Sequence, residues 1–419
     1  MIMAGKAVKT LYILGCLPFI LIVAIRVCDK LEDYNLLNFS GKNCHESPVS
    51  NKNISEIIRS WPDFTAEEHY IITEDGYKLL VERSYANITQ KTPLLIVHGM
   101  GMNAMGWVYR HNASLAYSLG KLGYDVWMLS YRGSWYSKGH VNLNTNDKKY
   151  WNFNLNELGI YDVRSTIKLV KEKTQRKPIY IGYSMGTTGF FIYSSSFPEE
   201  AKNSVKAMIG VSSATNFKET TSLTTYTSFW WPMFRKIIYN LWSGEVLPGY
   251  SVLLKPLLRF TGGIYTAQYF FNLVFGDNYE QIDASIFPLV STHLLDIIAV
   301  DTYSHYVQVY DTGLFRKFDY GNETNLKVYG STEPPAYDLS KNQVPVAMIS
   351  GKNDWLITLA STNHTYSQLH PSVRCGYHVV PFEKWNHIDF LMAKDVKKYF
   401  YKYLFYKIKE LDKGFCNPT

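Results

Sequence analysis

Pro178-Ile179-Tyr180-Ile181-Gly182-Tyr183-Ser184-Met185-Gly186 is the stretch that organises the reading of the chain. Its first four residues form a short apolar run of the kind that fills a buried parallel strand. Thr187 to Ser195 then carries a helical pattern. Between strand and helix lies G-x-S-x-G, in the context that this motif requires. The glycines permit a tight, strained turn that lifts Ser184 clear of the backbone. The helix N-terminus adds partial positive charge where an oxyanion would form. Ser184 is therefore the candidate nucleophile.

Strand and helix signals alternate on both sides of this turn. Ile54 to Trp61 reads as a short helix, and His69–Ile72 with Lys78–Arg83 flank Glu74-Asp75-Gly76 as a hairpin. Pro93 to Val97 is a second continuous apolar strand, ending at His98-Gly99-Met100-Gly101. Asn112 to Leu122 reads as a helix, Tyr124 to Leu129 as a strand, and Tyr131-Arg132-Gly133 as a turn. Tyr161 to Lys173 is an amphipathic helix that Asp162 would help to start, and Val205 to Val211 is a further strand. This alternation implies an open, mostly parallel sheet flanked by helices. The rhythm fails over residues 213–335, which are rich in aromatic helical stretches such as Thr266 to Phe275. It resumes at Val344–Ser350 and Tyr377–Pro381. The simplest account is one sheet domain in two parts, residues 50–212 and 336–412, with residues 213–335 inserted as a helical cap over the strand ends.

A serine hydroxyl needs a base near neutral pH, and the base needs an orienting acid. In this strand–turn–helix setting the order along the chain is serine, acid, histidine. Asp354 follows the strand at Val344–Ser350 through Gly351-Lys352-Asn353, where a carboxylate can reach a histidine loop. Four histidines lie beyond it: His364 and His370 in expected surface loops, His378 within a strand, and His387 after a strand and a short polar loop. His387 has the right setting. Asp389 is the rival acid, but two residues from His387 it is badly placed to accept from that ring. The oxyanion hole needs one amide after the nucleophile and one from an early strand loop, which selects Met185 and Met100.

The first 30 residues read as targeting sequence. Lys6 and Lys9 precede an apolar run from Leu11 to Ile25, which fits a cleaved signal peptide or a signal anchor through residues 11–27. Sequons at Asn38, Asn53, Asn87, Asn112, Asn322 and Asn363 fit a glycosylated chain of the secretory pathway. Apolar residues make up 46% and charged residues 19%, which excludes a disordered chain. The net charge of +7 is spread out, with no basic stripe for nucleic acid. The five cysteines show no zinc spacing, and Cys44, Cys375 and Cys416 leave room for one bridge, with the pairing open.

Longer motifs carry a resemblance. Asn53-Ile54-Ser55-Glu56-Ile57-Ile58, Thr73-Glu74-Asp75-Gly76-Tyr77, and Gly123-Tyr124-Asp125-Val126-Trp127 leading to Arg132-Gly133 are among them. So are Asn156-Glu157-Leu158-Gly159-Ile160-Tyr161-Asp162, Gly351-Lys352-Asn353-Asp354-Trp355 and Asn386-His387-Ile388-Asp389-Phe390. In the cap, Phe318-Asp319-Tyr320-Gly321 and Pro334-Pro335-Ala336-Tyr337 join them. Beyond about Asn53 the chain resembles the acid lipases, the gastric and lysosomal branch of the α/β-hydrolase fold. The resemblance implies hydrolysis of triacylglycerols or cholesteryl esters without metal or organic cofactor, in a secreted or lysosomal setting. It puts nucleophile, acid and base on Ser184, Asp354 and His387, and the oxyanion donors on Met100 and Met185. The family's His and Gln beside the serine are replaced by Tyr183 and Met185, which removes a side-chain contact there. The cap cysteines of its vertebrate members are absent. The triad also suits an acyltransferase or a thioesterase, and the fold without the chemistry would suit a lipid carrier.

Overall fold

The computed structural model describes residues 26–28, 33–34, 44–88, 92–246, 261–282 and 286–416. The apolar run before Arg26 and the sequon at Asn38 lie outside those residues. Among the described residues no helix is long and apolar enough to cross a membrane.

Eight strands build the central sheet: β1 (Phe64–Ile72), β2 (Tyr77–Ala86), β3 (Pro93–Val97), β4 (Asp125–Leu129), β5 (Ile179–Tyr183), β6 (Ala207–Val211), β7 (Val346–Ser350) and β8 (Arg374–Val379). Their order is β8-β7-β6-β5-β3-β4-β2-β1, and a two-residue strand, Gly139–His140, also pairs with β2. Strands β3 to β8 are parallel, while β2 runs antiparallel to both β4 and β1. The parallel strands are apolar throughout because helices cover both faces. In β3, Leu94 and Ile96 enter the core on one face, and Leu95 and Val97 enter the core on the other. Each such side chain contributes about 1.5–3 kcal/mol on burial.

The hairpin is longer at both ends than the sequence suggests, and the helices differ in detail. The expected helix from Asn112 splits into a 3₁₀ turn, His111–Ala113, and α2 (Leu115–Lys121), because Ser114 adopts an extended conformation between them. The helix expected from Tyr161 has a π turn, Leu158–Val163, before α3 (Arg164–Thr174). Asp162 does not cap it. Its carboxylate accepts from Arg132, whose buried guanidinium also holds Asp75 in the hairpin turn. His364 sits on a helix rather than in a loop, α9 (Leu359–Gln368).

Among the described residues between β6 and β7, the helices include α5 (Thr225–Trp242), α6 (Thr261–Phe275), α7 (Val300–Thr312) and α8 (Asn322–Tyr329). Helix α5 packs on α7 through Trp231 against Tyr303 and an Arg235–Asp301 ion pair. On the core, Thr188 meets Tyr306 of α7 at 2.8 Å.

The N-terminal boundary needs correcting. Arg26–Cys28 pairs with Cys44–Glu46 as a small antiparallel sheet, and Cys28 is bonded to Cys44. The fold thus reaches into the last residues assigned to targeting. A second bridge joins Cys375 to Cys416, so Cys44 is not a partner for either of them.

Candidate active site

The chain crosses from β4 to β5 on the other side of β3, so the connections leaving the carboxyl ends of β3 and β5 head toward opposite edges of the sheet. Open parallel sheets form their crevice at such a switch point. Ser184 follows β5 and precedes α4 (Met185–Ser196), with φ 51° and ψ −115°. A non-glycine residue in that region costs on the order of 1–3 kcal/mol. The flanking glycines make it attainable. A Cβ on Gly186 would meet the Val97 carbonyl oxygen at 2.4 Å, and one on Gly182 would meet the Gly186 backbone at 2.8 Å.

Ser184 Oγ lies 3.1 Å from His387 Nε2, and His387 Nδ1 lies 2.8 Å from Asp354 Oδ2. All three side chains are buried. The other carboxylate oxygen of Asp354 accepts from the amides of Leu356 and Ile357 at 3.0 and 2.7 Å, which fixes its rotamer. With Asp354 accepting at Nδ1–H, Nε2 is left with its lone pair toward the serine hydroxyl. The arrangement can take a proton from Ser184 and return it to a leaving group.

Asp389 is engaged elsewhere. Its Oδ2 accepts from Asn386 N at 2.7 Å and from Asn278 Nδ2 at 2.5 Å. Burial pushes this carboxyl up to about 7. His378, on β8, stacks on Tyr403 at 3.6 Å, while His370 bonds to Ser372 on the surface.

Met185 is the first residue of α4, so its N–H is among the amides a helix leaves without an intrahelical acceptor. Met100 lies across the crevice in the loop after β3 and lines the same cavity. That loop is held by His98, which burial keeps neutral by lowering its pKa to about 4. Nδ1 donates to the Gly99 carbonyl at 2.8 Å, and Nε2 accepts from Tyr131 N at 3.1 Å. Gly99 passes so close to the elbow that a Cβ there would meet Ser184 Cβ at 3.2 Å.

Tyr183 supplies a contact beside the serine after all. Its hydroxyl donates to the His387 carbonyl at 2.9 Å. Two further residues gave no sequence signal. Asp296, from the cap, accepts from Asn103 Nδ2 at 2.7 Å, and its own amide donates to the Gly101 carbonyl at 2.7 Å. Phe275, at the end of α6, stacks on the His387 ring with the planes 11° apart. Only the fold brings these distant segments to the site.

A cavity of about 360 Å³ opens over Ser184 and His387. Phe271, Val274 and Phe275 of α6 form one wall, and Leu294, Leu295 and Ile298 another. The described sequon asparagines, Asn53, Asn87, Asn112, Asn322 and Asn363, are all exposed.

A family model of the α/β hydrolase fold matches residues 92–393, and one of the partial α/β-hydrolase lipase region matches residues 54–111. Human lysosomal acid lipase/cholesteryl ester hydrolase is 30% identical over 388 residues, covering 88% of this chain and 94% of its own. Human lipase member N is 29% identical over 83% of this chain and 89% of its own. Drosophila melanogaster lipase 1 is also 29% identical, over 84% and 78%. A solved Sulfolobus solfataricus lipase candidate aligns with a TM-score of 0.56 at 12% identity, over 84% of this chain and 95% of that one, a likeness of fold alone.

Proposed function

Because the chain belongs to the α/β-hydrolase family and, within it, to the acid lipases, as a lipase-type carboxylic ester hydrolase, we propose that it cleaves neutral lipids, triacylglycerols or cholesteryl esters, through Ser184, His387 and Asp354. The observation that carries this reading is the unbroken hydrogen-bond chain from Ser184 through His387 to Asp354 on the floor of an apolar cavity. His387 takes the hydroxyl proton as Ser184 attacks the ester carbonyl. The carbonyl π electrons move to oxygen, which the amides of Met100 and Met185 receive, each worth roughly 3 kcal/mol. The intermediate collapses by breaking its bond to the alcohol oxygen, to which His387 returns the proton. Water then repeats both steps on the acyl-enzyme and releases the acid. Asp354 holds the tautomer and stabilises the imidazolium.

The outer face of the cap supports a lipid–water interface as the working place. Along α5, Tyr226, Phe229, Trp230, Met233, Phe234, Ile237 and Leu241 are exposed at helical spacing, with Phe229 at 79%. Thr225 and Ser228 of the same helix face the cavity. Exposed sequons and the lysosomal relative support a glycosylated, secretory-pathway chain.

The test is hydrolysis of triolein, a cholesteryl ester, a short-chain ester and a phospholipid, at acidic and neutral pH, beside Ser184→Ala. Neutral-lipid turnover that vanishes in the variant is the expected result. Turnover of the short ester alone would move the proposal to an esterase. Fluorophosphonate labelling of Ser184 without turnover of any ester would favour acyl transfer to an acceptor other than water. Absence of both would leave a lipid carrier.

A further inference from the structure

The chain turns at the end of α6 and passes between the two loops that bring Asp354 and His387 to the cavity. At Phe275 the backbone carbonyl accepts from the amides of both Trp355 and His387 at 3.3 Å. The Gly276 carbonyl accepts from Asn386 Nδ2 at 2.6 Å, and the Asp277 carbonyl from Asn353 Nδ2 at 2.8 Å. The passage is narrow. Gly276 has φ +117°, and a Cβ there would meet the Asn353 carbonyl oxygen at 2.0 Å and Asn386 Cβ at 2.9 Å. No side chain could occupy that position without moving one of the two loops.

Beyond the passage, Asn278 is fully buried and its amide donates to Asp389 Oδ2. That oxygen also accepts from Asn386 N, while Asn386 Oδ1 accepts from the amides of Ile388 and Asp389 at 3.1 Å. Asn386 and Asp389 thus close a ring of hydrogen bonds around His387, and Asn278, from outside that loop, adds a second donor to the Asp389 oxygen of the ring. Asp389 Oδ1 has no hydrogen-bond partner among the described residues. Its anchoring therefore depends on the bonds at Oδ2.

We propose that Asn278 and Asp389 are positioning residues for His387: the turn after α6 sets where the imidazole stands, so that the cap helps to assemble the catalytic geometry as well as to enclose the substrate. The inference rests on the reading of Ser184, His387 and Asp354 as the triad. A loosened histidine loop leaves substrate contacts in place but misaligns the base. Small misplacements of a reacting group can cost about a hundredfold in rate.

The test uses the full chain, with p-nitrophenyl butyrate as a soluble ester and a fluorophosphonate as a probe of Ser184. Asn278→Ala should lower kcat between about ten- and a hundredfold with KM held within about twofold. The labelling rate of Ser184 should fall in parallel. A merely structural turn would lower the melting temperature without this split. Asp389→Asn can keep an oxygen where Oδ2 stands, accepting from both Asn386 N and Asn278 Nδ2, whereas Asp389→Leu removes that acceptor at similar volume. The kcat should stay within about threefold of the parent in Asp389→Asn and fall in Asp389→Leu as it does in Asn278→Ala, which keeps the proposal open to test if Asn278→Ala does not fold. Unchanged kcat and labelling in Asn278→Ala, a change in KM alone, or an Asp389→Asn variant as impaired as Asp389→Leu would each overturn it. If Ser184→Ala retained full activity, the triad reading itself would fall, an outcome distinct from those three.

Discussion

In the sheet, apolar side chains alternate between two buried faces, and the strands expose almost none of them between β3 and β7. In the cap, α5 buries Trp231 and Ile238 against α7 and turns Tyr226, Phe229, Trp230 and Met233 outward. The same residue types thus serve two ends. In the sheet they supply the cohesion that holds a strained serine in place, and in the cap they are left for something outside the chain to cover. The contrast sets the proposed triad, which stands at the strand ends, apart from the exposed apolar stripe proposed to meet lipid, which lies on the insertion.

Asp354→Asn strikes the sheet side where the comparison is sharpest. With an amide facing Nδ1 the imidazole is held in the wrong tautomer, and kcat on a soluble ester should fall about 10³–10⁴-fold with the fold intact. Steady-state kinetics beside circular dichroism would show it, and a loss below tenfold would break the assignment of chemistry to the strand ends.

Next in size is a stability effect. Glu82 on β2 is buried against α1 (Ile54–Arg59), where Ser55 Oγ donates to it at 2.8 Å. Burial pushes its carboxyl up to about 7 from an ordinary 4.5. The folded chain therefore keeps a proton that the unfolded chain releases. That stabilisation is fully present below about pH 4.5 and is lost as pH rises toward 7. Glu82→Gln should be near neutral at pH 4.5 and stabilising by about 2–3 kcal/mol at pH 7.5 in urea melts. Equal effects at the two pH values would refute it.

The smallest effect belongs to the cap. Replacing Phe229, Trp230 and Met233 together by Ser should leave kcat/KM on a soluble ester within about twofold. Turnover of emulsified triolein should fall about tenfold as adsorption weakens. Equal losses on both substrates would mean that the stripe supports the fold and that the contrast drawn above is wrong.

The parts legible in the sequence were those written locally. Continuous apolar runs marked β3, β5 and β7 because a strand covered on both faces needs no alternation. Ser184 was legible because a turn so tight must be flanked by glycines. Asp354 and His387 followed from their places after strands, and the structure brings them within hydrogen-bond distance of each other and of the serine. What depends on distant contacts was not legible. Nothing near Asp162 reveals that Arg132 will claim it, and Cys28, at the edge of the apolar run, gives no sign of its partner at Cys44. Asn278 and Asp389 lie 111 residues apart, and only the return of the cap to the histidine loop makes them neighbours.

The two sulfur bridges have a practical consequence for anyone making the protein. Cys375–Cys416 ties the chain beyond the last helix, α10 (Lys402–Asp412), to β8, the strand that leads toward His387. Cys28–Cys44 fastens the first described strand to its partner. In a reducing cytosol all four would stay thiols, and each closure would be lost from the unfolded chain as well as from the fold. Expression should therefore be directed to an oxidising compartment, with the cut that removes any leader placed ahead of Cys28.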